Sequence, residues 1–333
     1  MGTKKVDIAN IDITGVSVGA TATYVAANAR FEWVLGTYTP SGPGSSSPQV
    51  QGSARGYTSG GYFGSPTLSN VIDDFPFASD TNASDVGDLS VAGMYVTGQS
   101  SDTEGYSSGG FRSGGASNII DKFPFSSDTN ASDVGDLSQA RYGTAGQSSP
   151  SHGYNTNGRA PGATNVIDKF SFAAGGNASD VGDQTDSRYY AAGQSSTTHG
   201  YSSGGTANVI DKFPFSSDTN ATDVGDLSQA RSGAAGQSST THGYSSGGSG
   251  PPYVNTIDKF PFSSDTNASD VGDMSQIRFY GTGQSSTANG YTSGGNAPPQ
   301  SNVIDKFPFT SDSNATDVGD LSQARYYAAG QQV

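Results

Sequence analysis

Three residue types recur in this chain at spacings that could support chemistry. All three histidines, His152, His199 and His242, stand immediately before a Gly-Tyr pair. Three imidazoles are a zinc donor set, but each ligand must then lie about 2 Å from one ion. Equivalent points of a repeating ring meet only on its axis, so a loop position on one face is the better reading. The acidic stretch SDTNATDVGD supplies Asp218, Asn220, Asp223 and Asp226, closely spaced oxygen donors of the kind a Ca2+ ion takes. Gly225 falls too late for an EF-hand loop. The other reading is an Asx-rich turn whose side chains bond their own backbone, leaving no metal. One copy, AAGGNASDVGD, lacks the leading Asp, so a site needing it would be missing there. Arg141, Arg188, Arg231, Arg278 and Arg325 occupy one repeated position, with Gly93 in the sixth copy. They either line a pore or pair with a neighbouring Asp or carbonyl, and the pairing is the expectation.

No catalytic set stands apart from this repetition. The chain has no Cys, its only Glu residues are Glu32 and Glu104, and no Ser-His-Asp group is distinct from the repeats. Six Asn-x-Ser/Thr triplets, from Asn82 to Asn314, fall at one position of the repeat and read as its inheritance rather than as glycan acceptors.

The elements that hold these residues are written into the period. The core Asn-x-Ile-Asp begins at Asn70, Asn118, Asn165, Asn208, Asn255 and Asn302, spacings of 48, 47, 43, 47 and 47 residues. That period fits a four-stranded propeller blade better than a helical repeat. Each unit parses into four strands, exemplified by ARYGTAGQ (140–147), GYSSGG (200–205), NVIDKFPF (208–215) and DVGDL (223–227). In the third, alternation puts Ile on one face and Val and Phe on the other, as for a strand packed between neighbouring sheets. The recurrent tyrosines from Tyr57 to Tyr291 read as packing between units.

The chain enters the pattern at a second-type strand, GYTSGG (56–61), and leaves it at a first-type strand, ARYYAAGQQ (324–332). One unit must therefore borrow its first strand from the C-terminal end. The expected fold is all-β: a six-bladed β-propeller of four-stranded blades, closed by the C-terminal strand, with a short N-terminal β segment. Expected boundaries are 1–38 for an anchoring or docking segment, 39–52 for a Gly/Ser/Pro linker and 53–333 for the propeller. The segment VSVGATATYVAANARFEWVL reads as a hairpin or strand pair.

The stretches LSQARYGTAG, HGYNTNG and NVIDKFPF resemble the kelch repeat over about residues 53–332. The resemblance implies a kelch-like propeller. Val86, Val134, Val181, Val224, Val271 and Val318 stand where kelch blades usually carry Trp, which favours the architecture over family membership. The Gly/Ser/Tyr/Asn-rich texture and the ending YYAAGQQV also resemble repeat-rich structural and appendage proteins of marine bacteriophages.

Composition limits the function. Leu, Ile, Val and Phe make 53 of 333 residues and net charge is -14, values typical of disorder unless the apolar residues are phased, as they are here. Acidity excludes nucleic acid as the expected partner. No apolar run has the length of a signal peptide or a membrane span, so neither membrane insertion nor signal-directed export is expected. What varies between copies is the loop after Gly-Gly, which carries Tyr62, Phe63, Phe111, Arg112, Arg159 and Tyr253 as exposed candidates for a ligand-binding face. Surface drift is the competing reading of those loops. The expectation is a non-enzymatic virion protein, a tail-fibre tip or capsid decoration. It would be made in the host cytoplasm and joined to other virion proteins, or to copies of itself, through residues 1–50. Its propeller would face a host glycan or protein. The alternative is a free lectin-like carbohydrate- or protein-binding module. No cofactor is expected beyond a Ca2+ ion at the Asp loops.

Overall fold

The computed structural model describes residues 21–25, 30–34, 51–64 and 67–333. The chain divides into two compact units, residues 1–46 and 47–333. In the first, Thr21–Val25 pairs antiparallel with Arg30–Val34. The expected linker, apart from Gln51 and Gly52, lies outside the described residues.

The second unit is all-β, a series of four-stranded antiparallel sheets in a propeller-like arrangement, with no helix among the described residues. Four of the sheets run in simple chain order. The third is Ala145–Ser148, His152–Thr156, Thr164–Ser171 and Ser179–Arg188. The fourth is Ala192–Ser195, His199–Ser203, Val209–Pro214 and Thr222–Asp226. The fifth is Ala235–Ser238, His242–Ser246, Thr256–Pro261 and Ser269–Asp273. The sixth is Thr282–Ser285, Asn289–Ser293, Val303–Pro308 and Thr316–Asp320. The second comprises Thr97–Ser100, Glu104–Ser108, Ile119–Pro124 and Ser132–Asp136. The first takes Ala329–Gln332 as the partner of Arg55–Ser59, followed by Val71–Pro76 and Ser84–Asp88.

Each sheet buries its faces only against its neighbours. Tyr201, Ile210 and Leu227 of the fourth sheet form one cluster with Phe260 of the fifth. Phe213, on the opposite face of the same strand, joins Tyr154 and Ile167 of the third. Burying each such side chain contributes about 1.5–3 kcal/mol, and none is buried by its own sheet alone. The Tyr201 ring stacks on Phe262 at 4.8 Å and tilts against Phe260 at 5.6 Å. The half-buried Val224, at the repeated Val position of the fourth strand, packs against this cluster.

Polar groups repeat the same neighbour-to-neighbour logic. The Gln147 amide donates to the Tyr201 carbonyl of the next sheet at 2.9 Å, and Gln194 to Tyr244 at 2.9 Å. Gln237 reaches Tyr291 at 3.0 Å, Gln284 reaches Tyr57 at 2.9 Å, Gln331 reaches Tyr106 at 2.8 Å and Gln99 reaches Tyr154 at 3.0 Å. At the outer strands the Asp183 N–H donates to Asn220 Oδ1 of the following sheet at 3.0 Å, and Asn82, Asn130, Asn177, Asn267 and Asn314 accept in the same way. The repeated Asn is therefore a joint between sheets.

The recurrent Arg pins the segment that crosses from one sheet into the next. Arg231 Nη2 lies 2.9 Å from Asp258 Oδ2, both side chains fully buried, and also donates to the Ser245 carbonyl at 2.9 Å. Asp258 in turn accepts the Ser228 N–H of the same crossing at 2.8 Å. Ile257 and Asp258 are both buried because neighbouring sheets cover both faces of their strand, and the register to the outer strand shifts there, Ile257 pairing with Gly272 and Asp258 with Asp270.

The innermost strands approach backbone to backbone. A Cβ on Gly193 would lie 2.1 Å from the Gly146 carbonyl oxygen, and one on Gly146 would lie 2.2 Å from that of Gly98. The Gly of each Ala/Thr-Gly-Gln is thus a steric requirement. Gly193→Ala should lower stability by at least about 2 kcal/mol through overpacking, read as a shifted urea midpoint. Gly162→Ala, with nothing within 4 Å of its Cβ, should move that midpoint little.

Candidate functional site: an aromatic face

The antiparallel hairpins put the crossing segments and the loops after Gly-Gly at one end of every sheet. Backbone bridges tie them together there, Tyr142 with Arg159, Ser232 with Ser249, Phe279 with Asn296 and Tyr62 with Tyr326. Two residues past each crossing Arg, or past Gly93, the backbone turns left-handed to enter the inner strand. Tyr95, Tyr190, Tyr280 and Tyr327 adopt φ of 57°, 59°, 58° and 63°, while Gly143 and Gly233 adopt 65°. For a residue with a Cβ this conformation costs about 1–2 kcal/mol.

These residues are joined through the main chain. Tyr95 N donates to Tyr327 O at 2.8 Å, Gly143 N to Tyr95 O at 3.4 Å and Tyr190 N to Gly143 O at 2.7 Å. Gly233 N donates to Tyr190 O at 2.7 Å, Tyr280 N to Gly233 O at 2.6 Å and Tyr327 N to Tyr280 O at 3.0 Å. The four rings converge over this belt, with centroids 3.8 Å apart for Tyr95–Tyr327, 4.4 Å for Tyr280–Tyr327, and 5.1 Å for both Tyr95–Tyr190 and Tyr190–Tyr280. A Cβ on Gly143 would lie 2.5 Å from Tyr190 Cε1, and one on Gly233 would lie 2.2 Å from Tyr280 Cδ1. The two glycines make room for their neighbours' rings. Burial, and then contact with Tyr95, pushes the Tyr190 and Tyr327 hydroxyls well above the usual phenol range, so both stay neutral hydrogen-bonding groups. Below the rings, a cavity of 160 Å³ is lined by all six innermost strands.

Aromatics spread outward from this centre. Tyr142 packs on Tyr95 at 5.4 Å and Phe111 meets Tyr142 edge-on at 5.6 Å. Tyr189 meets Tyr190 at 4.9 Å, and the Arg159 guanidinium lies 5.6 Å from the Tyr189 ring centre. Phe279 joins Tyr280 at 5.1 Å and carries Tyr253 at 4.8 Å. Tyr326 joins Tyr327 at 4.3 Å and carries Tyr62 at 5.4 Å.

Of the candidates named from the loops, Tyr62 and Phe111 thus sit half-buried on this face, and Phe63 is half-buried beside Tyr62. Arg159 is exposed, and Tyr253 is 53% exposed. Arg112 is different from the expectation. It is only 4% exposed, lies 3.2 Å from Asp121 and donates to the Val91 carbonyl at 2.7 Å. Gly93 cannot supply the guanidinium that the buried Asp of the second sheet requires, and Arg112 supplies it from the variable loop. The central tyrosines, with Tyr142, Tyr189, Phe279 and Tyr326, were not singled out from the sequence. Their signal was the dipeptide after Arg or Gly93, which reads Met-Tyr, Tyr-Gly, Tyr-Tyr, Ser-Gly, Phe-Tyr and Tyr-Tyr across the copies.

The opposite end carries the charged loops. Asp218 pairs with Lys169 at 2.6 Å, Asn220 accepts from Asp183, Asp223 accepts the N–H of Gly225 at 3.1 Å and the Asp226 N–H donates to Asn267 at 3.1 Å. Among the described residues no cluster of three or more His, Asp or Glu is placed to hold a metal. Matching Lys–Asp pairs join Lys212 to Asp265, Lys259 to Asp312 and Lys306 to Asp80. Asp74 replaces the Lys in the first sheet; burial raises its carboxyl pKa, Arg55 pulls it back and Asp128 of the next sheet adds to the rise. The histidines sit beside these bridges. Burial and then the neighbouring Lys lower the pKa of His152, His199 and His242, while an Asp opposes the shift.

The sequence matches no protein-family model and no curated protein.

Two outcomes test this account. Arg112→Ala should cost about 3–5 kcal/mol, the penalty for stranding a buried carboxylate, in chemical denaturation. A surface-loop Arg would cost almost nothing. The lowered imidazole pKa values mean that the unfolded chain takes up protons first on acidification, so stability falls as pH drops below about 6.5. The melting temperature should fall further between pH 7.5 and 5.5 in the native chain than in a His152→Asn/His199→Asn/His242→Asn variant, which copies Asn289 of the sixth sheet.

Proposed function

We propose that residues 47–333 form a closed six-bladed β-propeller that acts as a non-enzymatic recognition head through its aromatic face. Closure is supported by the Gln-to-Tyr carbonyl bonds, which pass through all six sheets and return to the first, and by the pairing of Ala329–Gln332 with Arg55–Ser59. In this reading the chain is a virion structural or appendage protein, a tail-fibre tip or capsid-surface decoration. Residues 1–50 join other virion proteins or further copies of the chain, and the head meets a glycan or protein of the host surface. The likeness of the repeat texture to marine bacteriophage proteins supports the setting. A free lectin-like module is the second reading, favoured by the same rings, because tyrosine offers an apolar face and a polar tip to a ligand.

One observation carries the recognition role. Four tyrosines are held left-handed at a position that glycine fills in two of the six sheets. The fold is met by glycine there, so the rings are kept at a local cost, and such strain is concentrated at functional sites. The full-length chain carrying Tyr95→Gly, Tyr190→Gly, Tyr280→Gly and Tyr327→Gly should keep its melting temperature within a few degrees. Its binding to a panel of bacterial cells and to arrayed glycans should fall at least about tenfold. Unchanged binding by that folded variant would remove the face from recognition.

A further inference from the structure

Arg159 stands apart from every other arginine of residues 51–333. Arg55, Arg112, Arg141, Arg188, Arg231, Arg278 and Arg325 each lie against an Asp carboxylate. Among the described residues, Arg159 has no carboxylate partner. Its Nε donates to the Pro161 carbonyl at 3.3 Å and its guanidinium lies over Tyr189, which fixes the side chain of a residue that is exposed. Beside it is a hollow of 460 Å³, walled by Tyr142 and Pro161 and edged by Gln139. Gln139 is held by a 3.3 Å bond from its amide nitrogen to Thr164 Oγ1, so its amide oxygen remains as an acceptor. The hollow sits where the second and third sheets meet the aromatic face, with Phe111 supporting Tyr142 edge-on.

We propose that this hollow binds a carboxylated pyranose, a uronate-type sugar residue. The reading rests on the aromatic face being a glycan-binding surface. The ring would lie on Tyr142, a hydroxyl would donate to Gln139, and the carboxylate would take the planar fork of Arg159, which matches a carboxylate with two parallel hydrogen bonds. Charge argues for the pairing. The chain carries a net -14, and the Asp-rich turns lie at the far ends of the sheets. Asp186, in the crossing that leads into this face, accepts from the N–H of Ser187 at 2.8 Å. A lone guanidinium on this face, at the other end of the sheets from those turns, offers a single carboxylate a cationic partner that no protein carboxylate among the described residues already takes.

The test is calorimetric titration of the full-length chain with trigalacturonate and with its methyl ester, which keeps the rings and removes the charge. The acid is expected to bind at least about tenfold more tightly than the ester, the usual worth of a charge-assisted bidentate pair. Arg159→Gln should bring the acid down to the affinity of the ester and leave the ester unchanged, with an unaltered melting temperature showing an intact fold. Equal binding of acid and ester, or an acid affinity unmoved by Arg159→Gln, overturns the proposal. If neither trisaccharide binds while the chain still binds cells through its tyrosines, the carboxylated ligand is wrong and the recognition face stands. If cells are not bound either, both fall.

Discussion

The second unit depends on the joint between one sheet and the next. A single four-stranded sheet of this chain carries a Tyr, an Ile, a Phe and, in all but the third sheet, a Leu or Met, too little to make a core alone. Its Ile faces the following sheet and its Phe the preceding one, so every hydrophobic cluster is shared. The Gln amide that reaches the Tyr carbonyl across this joint satisfies a buried acceptor at the point where the two sheets pack. Outside it lie the Tyr-on-Phe stacks, and outside those the Asn acceptors and the Lys–Asp pairs. Apolar contact gives the stabilisation and the polar bonds set the register, because a buried amide without its partner is costly.

The unevenness of the copies follows the same constraint. Where Gly93 replaces the crossing Arg, the buried Asp121 is met by Arg112 from another segment. Where Asp74 replaces Lys, Arg55 pairs with it. The third sheet's turn, AAGG, offers no Asp for Lys122, and there the main chain makes the contact, Gly176 N donating to Val134 O at 2.9 Å. Each lost partner in a buried position is replaced, whereas the solvent-facing bridge is simply given up, in line with the small worth of exposed ion pairs.

Much of the architecture was legible in the sequence. The period of the Asn-x-Ile-Asp core located the four-stranded units, and the mismatch between first and last strand types anticipated the pairing of Ala329–Gln332 with Arg55–Ser59. Alternation in the third strand placed Ile and Phe on opposite faces, and the structure shows which neighbour each one meets. The Arg was expected to pair, and it does. Less legible was anything that depends on two copies at once. The inner glycines look like ordinary small residues until the adjacent backbone is 2.1 Å from their absent Cβ. The Asn of the acidic loop looked like a local turn former and is instead bonded to the previous sheet. The candidate face was half visible: the variable loops pointed to Tyr62, Phe111, Arg159 and Tyr253, but the central rings lay in a segment that reads as a small-residue strand. Arg112 was misplaced because its partner, Asp121, follows from Gly93 in a different strand.

The pattern Tyr, Tyr, Gly, Tyr, Gly, Tyr at the left-handed position has a consequence for valency. Six near-identical sheets would ordinarily present six equivalent copies of any surface feature. Here the side chains break the equivalence of the backbone, since two glycines leave space that two tyrosines occupy, and only three of the six outer loops carry aromatics, Tyr62 and Phe63, Phe111, and Tyr253. A ligand approaching that centre meets one composite surface in one orientation, not six overlapping choices. The expected stoichiometry is one per chain, and any avidity toward a repetitive surface must come from displaying many chains side by side.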